Sequence, residues 1–476
     1  MAHAEHNSGS PHPDSGSFRD RNGRIYYMDE TVYRGISPRA VEEWRRLSAT
    51  RFFQSASDAG KLINTEQLDS QKLRNDRGLS DWAGVLKHER VPFVSYPYEW
   101  SFTMMKDAAL LHLELLEQAL DEGMILKDSS SYNIQWFGAR PVFIDIPSFE
   151  HYAPGSPWIG YRQFCEMFLY PLLMQAYKDI PFHAWLRGSP DGIPPAVCNS
   201  VMTLRDRLRA GVFADVYLQA KLQNRYATSP RELKGDLRRS GFKKELITSN
   251  VRRLTRLVGA LDWKRKASPW SKYPENNSYS NEDAELKENF VRRIVSGQHR
   301  DLVWDLGCNT GRFSRVASEN SGYVVALDGD HVTVENFYLE LKREARRTIL
   351  PLLMNVADPS PGLGWRSTER KPLEQRTKPG LVMCLALLHH LVIGSNIPVL
   401  EILDWLASLG GDLIIEFVTK DDPMSQILLR NKDDHYADYE LSYFEKCLQE
   451  KFRVVSREPL TSGTRYLYFG TSRKES

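Results

Sequence analysis

The stretch "LVWDLGCNTGRFSRVA", Leu302 to Ala317, decides the fold of the C-terminal half of the chain. An apolar run reaches an acid, turns on Gly307 and Gly311, and resumes with apolar residues at helical spacing. Glycine in a strand-to-helix turn lets the backbone approach a ligand with no Cβ in the way. The amides at the start of the following helix would point at that ligand. The stretch therefore predicts a ligand-binding turn at the carboxyl end of a strand.

Strand-like and helix-like segments alternate along the chain from residue 269 onward. The predicted strands are near-continuous apolar runs: "LVWDLG", "YVVALDGD", "ILPLLMNV", "GLVMCLALL" and "GDLIIEFV". Such runs, alternating with helices, indicate a parallel sheet that is covered on both faces. Two later runs, "FRVVSREPL" and "RYLYFG", are expected to close the sheet. We predict an α/β domain over residues 269–476.

An acid in the second strand indicates the kind of ligand. Asp328 ends that strand 21 residues after Gly307, and an acid at about this distance is the expected partner of a ribose diol. A dinucleotide site would need a second glycine where Asn309 stands. A side chain there crowds a pyrophosphate but leaves room for a compact amino-acid tail. The pattern therefore favours S-adenosylmethionine over NAD.

Residues 270–476 resemble a class I S-adenosylmethionine-dependent methyltransferase, with "VWDLGCNTG" as the first motif and "VALDGD" as the second. The resemblance implies a Rossmann-like domain with a mostly parallel seven-stranded sheet. It also implies that Asp328 binds the ribose hydroxyls, and that either Asn355 or Asp358 contacts the adenine. The residues expected around the methionine end of the cofactor are Asp305, Gly307, Asn309 and Gly311.

The fourth predicted strand ends in "LALLHHLVIGSNIP", a position that faces the substrate in such folds. His389 and His390 are therefore candidates for the base that takes a proton from the methyl acceptor. The alternative is that one histidine caps a helix while the other packs in the core. Glu416, at the end of "LIIEF", either orients the substrate or simply finishes a strand.

Sequence features on both sides of the first motif narrow the chemistry further. The chain has neither the Asn/Asp-Pro-Pro-aromatic tetrad of base-amino methyltransferases nor the Pro-Cys nucleophile of C5 methylation. Upstream, "WSKYPENNSYSNEDAELKENFV" carries Tyr279 and Lys287. These two residues are candidates for a lid over the cofactor, and a plain amphipathic helix is the alternative.

The N-terminal region, residues 18–200, is predicted to be an α+β accessory or substrate domain. Asp128, Asn133 and Asp145 resemble the D-x-x-x-x-N and D motifs of kinase-like and aminoglycoside-phosphotransferase-like folds. That resemblance implies that Asp128 orients a hydroxyl while Asn133 and Asp145 hold magnesium. A glycine-rich loop is missing, and Pro147 stands where such motifs carry glycine. We expect a degenerate kinase-like lobe; an unrelated domain with chance carboxylates is the alternative.

Two segments outside the predicted domains differ from them in composition. Residues 1–17 are almost free of hydrophobic side chains and are predicted to form a disordered tail. Residues 201–268 are predicted to be a basic helical connector, since 201–266 contain 17 Lys and Arg against six Asp and Glu. This connector is either a solvated joint between the two halves or a surface that faces RNA or phosphate.

Composition and charge set the remaining expectations. The formal net charge is only +2, and five scattered cysteines support neither disulfides nor a zinc site. The sequence shows no signal peptide and no apolar run of about 18 residues, so we expect a cytoplasmic protein without a membrane partner. The oligomeric state is left open.

The whole chain, from about residue 18 to 470, resembles bacterial methyltransferases related to rhizobial nodulation host-specificity (NoeA-like) proteins. The shared segments are "VPFVSYPYEWSF", "LKDSSSYNIQ", "PVFID", "YRQFCEMFL", "VWDLGCNTG" and "LALLHHL". The sequence thus predicts a methyltransferase that acts on an oxygen or nitrogen of a small molecule or glycan. The alternatives are an RNA or protein methyltransferase, or a cofactor-binding, kinase-like regulatory module without methyl transfer.

Overall fold

The computed structural model of the chain describes residues 11–68, 78–221, 243–264, 281–430, 432 and 435–473. Tyr279, residues 1–10 of the predicted tail and two stretches of the predicted connector lie outside these ranges. Within them, no helix combines the length and the apolar character that a membrane span requires.

An antiparallel five-stranded sheet opens the N-terminal half. Its strands are β1 (His12–Pro13), β2 (Gly23–Met28), β3 (Thr31–Ile36), β4 (Thr65–Leu68) and β5 (Gly84–His88). The strands lie in the order β1-β2-β3-β5-β4. His12 and Pro13 pair with Tyr27 and Tyr26, and the Ser15 hydroxyl donates to the Thr368 carbonyl. Part of the segment predicted to be a disordered tail thus pairs with the sheet through backbone hydrogen bonds, which need no apolar side chains.

A long buried helix forms the centre of the N-terminal half. The helices before and including it are α1 (Pro38–Ser48), α2 (Arg51–Asp58) and α3 (Phe102–Asp121). Helix α3 begins after Ser101, whose hydroxyl accepts from the Met104 amide, and it buries apolar side chains along its whole length. It ends before Gly123, which adopts a positive φ of 78°.

Short elements follow helix α3 and complete this half. The strands are β6 (Met124–Leu126), β7 (Ile134–Phe137), β8 (Arg140–Phe143) and β9 (Phe149–His151). The helices are α4 (Tyr161–Phe164), α5 (Tyr170–Lys178), α6 (His183–Gly188) and α7 (Pro195–Val201). In the predicted connector, helix α8 (Lys244–Ala260) packs on α3, and its Arg252 and Lys244 bond to Glu117 and the Leu120 carbonyl.

The C-terminal half is a seven-stranded sheet with helices on both faces. Its strands are β10 (Arg300–Leu306), β11 (Ser321–Asp328), β12 (Ile349–Leu353), β13 (Leu381–Cys384), β14 (Asp412–Val418), β15 (Phe452–Pro459) and β16 (Arg465–Ser472). Its helices are α9 (Asn281–Gly297), α10 (Arg312–Ala317), α11 (His331–Arg343), α12 (Val399–Ser408), α13 (Pro423–Leu429) and α14 (Leu441–Lys451).

The strand order is β12-β11-β10-β13-β14-β16-β15, and only β16 runs against the others. The prediction of a Rossmann-like, mostly parallel seven-stranded sheet is confirmed. The chain moves outward from β10 to β12 and then returns to the other side of β10 at β13. This reversal opens a crevice at the carboxyl ends of β10 and β13, the place where ligands bind in open α/β sheets.

One hydrophobic core runs through both halves of the molecule. The ring of Phe93 meets Trp304 of β10 edge-on at 6.1 Å between centroids, and Trp136 packs against Tyr338 in the same way. Polar contacts accompany this packing: the Gly138 amide donates to the Tyr323 hydroxyl over 2.8 Å. The predicted domain boundaries remain a prediction, but the two halves fold against each other as one packed body.

A buried ion pair joins the two halves beside this core. Glu99 and Arg376 are each about 1% exposed, and the guanidinium donates two hydrogen bonds to the carboxylate, over 2.6 and 2.8 Å. The same carboxylate accepts from the Ser360 hydroxyl and the Tyr96 amide. Every charge and lone pair that burial takes from water is thus compensated in place.

Replacing Glu99 by glutamine should lower the free energy of unfolding by about 3 kcal/mol, because the Arg376 guanidinium would stay buried without a counter-charge. Urea unfolding followed by tryptophan fluorescence measures the loss. Replacing Arg376 by methionine as well should recover much of it, while Arg162→Ala, which removes an exposed pair with Glu166, should change little. A loss below about 1 kcal/mol in Glu99→Gln would contradict the assignment.

Candidate functional site

A cavity of about 620 Å³ lies at the carboxyl ends of β10, β11, β12 and β13. Residues from each of these strand ends line it, together with Ala284 and Lys287 from helix α9. Its position coincides with the reversal of strand order. The cavity is therefore the site that the strand-to-helix turn predicted.

The turn after β10 forms the floor of the cavity. Gly307 and Asn309 line it, and both adopt left-handed backbone conformations, with φ of 72° and 49°. The amides of Gly307 and Cys308 donate to the Leu327 carbonyl, which ties the turn to β11. The turn is thus held open toward the cavity by the neighbouring strand.

Gly311 does not line the cavity, and its place at the methionine end stays a prediction. Its φ is 79°, and a Cβ there would lie 1.9 Å from the Phe337 ring. The glycine therefore lets helix α11 pack closely against the turn. Gly307 lines the cavity and Gly311 permits close helix packing. Because both positions are glycine, their spacing in the sequence could not distinguish the two roles.

Asp305 presents a buried carboxylate to the cavity. Only 2% of the residue is exposed, and its Oδ2 accepts from the Ser314 hydroxyl over 2.6 Å. Burial, more than any neighbouring charge, raises the pKa of this carboxyl to about 6. A ligand ammonium would restore the charged form, so the site suits a cationic group.

Asp328, at the end of β11, is held in one orientation by backbone amides. Its Oδ2 accepts from the Asn309 amide over 2.8 Å, and its Oδ1 accepts from the Asp330 amide over 2.9 Å. Burial raises the pKa of this carboxyl as well. Each oxygen keeps acceptor capacity for a ligand in the cavity, an arrangement that matches two vicinal hydroxyls.

The loop after β12 separates the two adenine candidates. Asn355 lines the cavity between Met354 and Val356. Asp358 lies outside the cavity wall: 69% of its side chain is exposed, and it pairs with Arg187 of helix α6. Of the two residues left open by the sequence, the structure brings only Asn355 to the site. Met354 and Val356, which the sequence analysis missed, add apolar surface for a planar base.

A strained segment after β13 forms the opposite wall. Leu385, Leu387 and Leu391 line the cavity together with Ala386, whose φ is 50° although it is not glycine. A π-helical turn follows at His390–Gly394. Backbone strain and π-helical turns both concentrate at functional sites. No sequence signal marks Ala386, because its backbone conformation is set by packing.

The structure brings only one of the two candidate histidines to the cavity. His390 lines it, and burial first, then the charge of Arg465, lowers the pKa of its imidazole to about 4. His389 is completely buried behind the wall, and within the described part of the chain neither ring nitrogen has a hydrogen-bond partner. His389 does not line the cavity, and its role as a base stays a prediction.

Glu416 lies behind the cavity wall and holds a lysine that lines it. Lys287 Nζ donates to Glu416 Oε2 over 2.5 Å, and Glu416 also accepts from Arg465 over 3.2 Å. Burial lowers the pKa of the Lys287 ammonium, although the charge of Glu416 opposes this. Glu416 therefore holds Lys287 and does not itself line the cavity, while Lys287 is a buried residue of the cavity wall. Their roles toward a substrate stay predictions. Tyr279 lies outside the described residues.

The candidate residues of the N-terminal half lie close together, but their contacts do not fit a magnesium site. Asp145 forms an ion pair with Arg34 and accepts from the Ser148 hydroxyl. Burial raises the pKa of Asp145, but Arg34 and Ser148 outweigh it and lower the pKa overall. Asp128 accepts from the Ser130 amide, and Asn133 donates weakly to Ser148 over 3.5 Å.

The Arg34 guanidinium is thus paired with Asp145, the carboxylate that the kinase-like resemblance assigns to magnesium. Over the described ranges, no group of three or more histidines, cysteines and acids could hold a metal ion. The kinase-like interpretation of residues 18–200 is not confirmed.

The strand order, the turn and the cavity together define a Rossmann-like domain of the class I methyltransferase type. No family model matches the chain. It is 33% identical over 472 residues to the nodulation protein NoeA of Rhizobium meliloti (strain 1021), and the match covers 98% of both chains. The chain therefore belongs to the NoeA family of nodulation proteins.

Solved structures similar to the chain include two bound to S-adenosylhomocysteine. One is the N-methyltransferase NodS from Bradyrhizobium japonicum WM9, at 10% identity and a TM-score of 0.31, covering 44% of this chain and all of that one. The other is the magnesium protoporphyrin IX methyltransferase ChlM from Synechocystis PCC 6803, at 14% identity and a TM-score of 0.31. The match covers 43% of this chain and 93% of that one. The fold assignment here rests on the strand order and not on these weak similarities.

Proposed function

We propose that this protein is an S-adenosylmethionine-dependent methyltransferase that acts on an oxygen or nitrogen of a small molecule or glycan. One observation carries the proposal. A single cavity brings together the carboxylates of Asp305 and Asp328, the amide of Asn355 and the imidazole of His390, from the ends of four neighbouring strands.

The residues present fit this cofactor at each of its parts. Asp305 would hold the ammonium of the methionine tail, and Asp328 would accept from the ribose hydroxyls. Asn355, with Met354 and Val356 beside it, would contact the adenine. Gly307 offers backbone without a Cβ where the tail would lie. When bound, the cofactor supplies a methyl group on a positively charged sulfur.

The opposite wall supplies what a methyl acceptor requires. The imidazole of His390 is neutral at physiological pH, because burial lowers its pKa to about 4. A neutral ring nitrogen can accept the hydrogen of an acceptor hydroxyl or amine and take its proton as the methyl group arrives. Leu385, Leu387 and Leu391 beside it make this end of the cavity apolar.

Contacts of the basic connector support a small acceptor over RNA. Arg253 donates two hydrogen bonds to the buried Asp215, over 2.6 and 2.8 Å, and Arg252 pairs with Glu117 over 2.6 Å. These two cations pair with acids of the protein itself and hold helix α8 against its neighbours. Neither sequence pattern of base-methylating enzymes is present either.

Replacing Asp328 by asparagine should weaken binding of S-adenosylhomocysteine about 10- to 100-fold, because charged hydrogen bonds to the ribose contribute about 1.5–3 kcal/mol. Isothermal titration calorimetry on the intact protein measures this. Asp301→Asn on the neighbouring strand β10 is the control, since that side chain is fully exposed. If the wild-type protein gives no heat with this ligand, the proposed function fails.

Replacing His390 by asparagine should slow methyl transfer at least 100-fold while leaving binding of S-adenosylhomocysteine nearly unchanged, since a general base contributes about 10²–10⁴-fold. Transfer of radiolabelled methyl groups into fractionated cell extract measures the rate. His299→Asn, an exposed histidine, is the control. For the wild type, protonation of His390 should abolish activity only as the pH falls toward about 4.

The labelled fraction also tests the alternatives. Label in RNA or protein would overturn the small-acceptor proposal. Binding of the ligand without label in any fraction would favour a regulatory module.

A further inference from the structure

The loop that carries Asn355 is held by the N-terminal half of the molecule, 170 residues and more away in sequence. Arg187 of helix α6 donates from both terminal nitrogens to the two carboxylate oxygens of Asp358, each over 3.0 Å. Its nitrogens also lie 3.4 and 3.3 Å from the carbonyls of Asp358 and Pro359. One guanidinium thus fixes both the side chain and the backbone of this loop.

Helix α6 is itself fixed in place. His183 at its start is partly buried, and its Nε2 donates to the Trp100 carbonyl over 2.7 Å. Its ring packs edge-on against His331, at 4.5 Å between centroids. His331 begins helix α11, three residues after Asp328. The same short helix therefore borders both loops that would hold the nucleoside.

Hydrogen bonds within the loop connect the residues that Arg187 contacts to the cavity side of the loop. The Ala357 amide donates to Asn355 Oδ1 over 3.0 Å, and the Asp358 amide donates to the Asn355 carbonyl over 2.9 Å. Asn355 and Asp358 thus belong to one hydrogen-bonded turn, with Asn355 on its cavity side and Asp358 on its outer side. Displacement of Asp358 would shift Asn355.

We propose that Arg187 is a positioning residue for cofactor binding, so that the N-terminal half completes the nucleoside end of the site. This inference rests on the proposed function, because it concerns the same cavity. Arg187 acts through Asp358 and Asn355 and does not touch the ligand.

Arg187→Ala should weaken binding of S-adenosylhomocysteine about 3- to 10-fold, measured by calorimetry on the full chain. It should weaken binding of 5′-methylthioadenosine, which lacks the amino-acid tail, by the same factor. The affinity of Arg187→Lys should fall between those of the wild type and Arg187→Ala, since an ammonium cannot form a bidentate pair with a carboxylate. Arg187→Ala combined with Asp358→Ala should be no weaker than either single variant.

Arg162→Ala, on the same half, is the matched control, and it should leave both affinities unchanged. Wild-type affinity in Arg187→Ala would overturn this inference alone, as would a loss that is confined to the longer ligand or equal in the control. Failure of the wild-type protein to bind either ligand would overturn the proposed function as well.

A second and independent observation concerns the surface of the segment Thr203–Lys221. Large apolar side chains are exposed there: Leu204 at 75%, Leu208 at 92% and Phe213 at 52%. Monomeric proteins rarely leave several such side chains uncovered close together. The two short helices that carry them, Arg205–Leu208 and Val212–Tyr217, pack side by side.

The exposed charges of this segment are positive. Its two carboxylates are buried: Asp206 is bonded to Lys178 and Asp215 to Arg253. Arg205, Arg209 and Lys221 remain at the surface. The exposed face is therefore apolar and cationic without an exposed acid of its own.

We propose that the Thr203–Lys221 face docks on an anionic lipid surface, with the leucines entering the interface and the arginines meeting the headgroups. RNA would also meet the arginines and could stack on Phe213, but the two most exposed side chains of the face, Leu204 and Leu208, offer no stacking surface to bases. The exposed leucines thus favour lipid.

Co-sedimentation with vesicles tests the surface. The full chain should bind vesicles of phosphatidylcholine with about one third phosphatidylglycerol and not pure phosphatidylcholine, and binding should fall with salt. Leu204→Ser with Leu208→Ser, and separately Arg205→Ala with Arg209→Ala, should each weaken it at least five-fold. Leu246→Ser, exposed on helix α8, is the control. Absence of binding, or poly(U) binding that the leucine variants retain, would overturn the proposal.

Discussion

The molecule depends on the buried ion pair between Glu99 and Arg376. A charge that has lost water must be compensated where it lies, so the two halves cannot shift at this point without leaving a guanidinium or a carboxylate unpaired. Glu99 also accepts from Ser360. The pair therefore fixes the loop that runs from the end of β12 to β13, and through that loop it fixes one wall of the cavity. Stability and the shape of the site are set by the same contact.

Those parts of the site that depend on local sequence could be predicted. Strand β10 is apolar throughout, Gly307 permits the left-handed turn, and Asp328 follows at the distance that two parallel strands and a short helix impose. The choice between Asn355 and Asp358 could not be predicted. It depends on Arg187, which lies 171 residues from Asp358, and no spacing rule connects them. His389 and His390 are a similar case, because only His390 lines the cavity and no spacing rule distinguishes two adjacent histidines.

The N-terminal half shows the same limit more strongly. Asp128, Asn133 and Asp145 do come together, as a motif would require, yet Asp145 is paired with Arg34 from strand β3, 111 residues earlier. A single long-range ion pair thus decides whether a carboxylate is available to a metal. The pairing of His12 and Pro13 with strand β2 illustrates a related limit. Composition reports the apolar surface a segment can bury, but an edge strand is ordered by backbone hydrogen bonds.

Backbone strain and buried polar groups around the cavity lower the stability of the fold. Asn309 and Ala386 adopt left-handed backbone conformations, and Asp305, Lys287 and His389 are buried polar groups. Strain of this kind costs about 1–3 kcal/mol at each residue and persists only where the surroundings over-determine it. The surroundings here are the core shared with the N-terminal half. An isolated Rossmann-like domain would lose the packing of Phe93 and Trp136 against its sheet, and with it the means to hold these conformations. The packing of the N-terminal half is therefore part of what holds the cavity in shape.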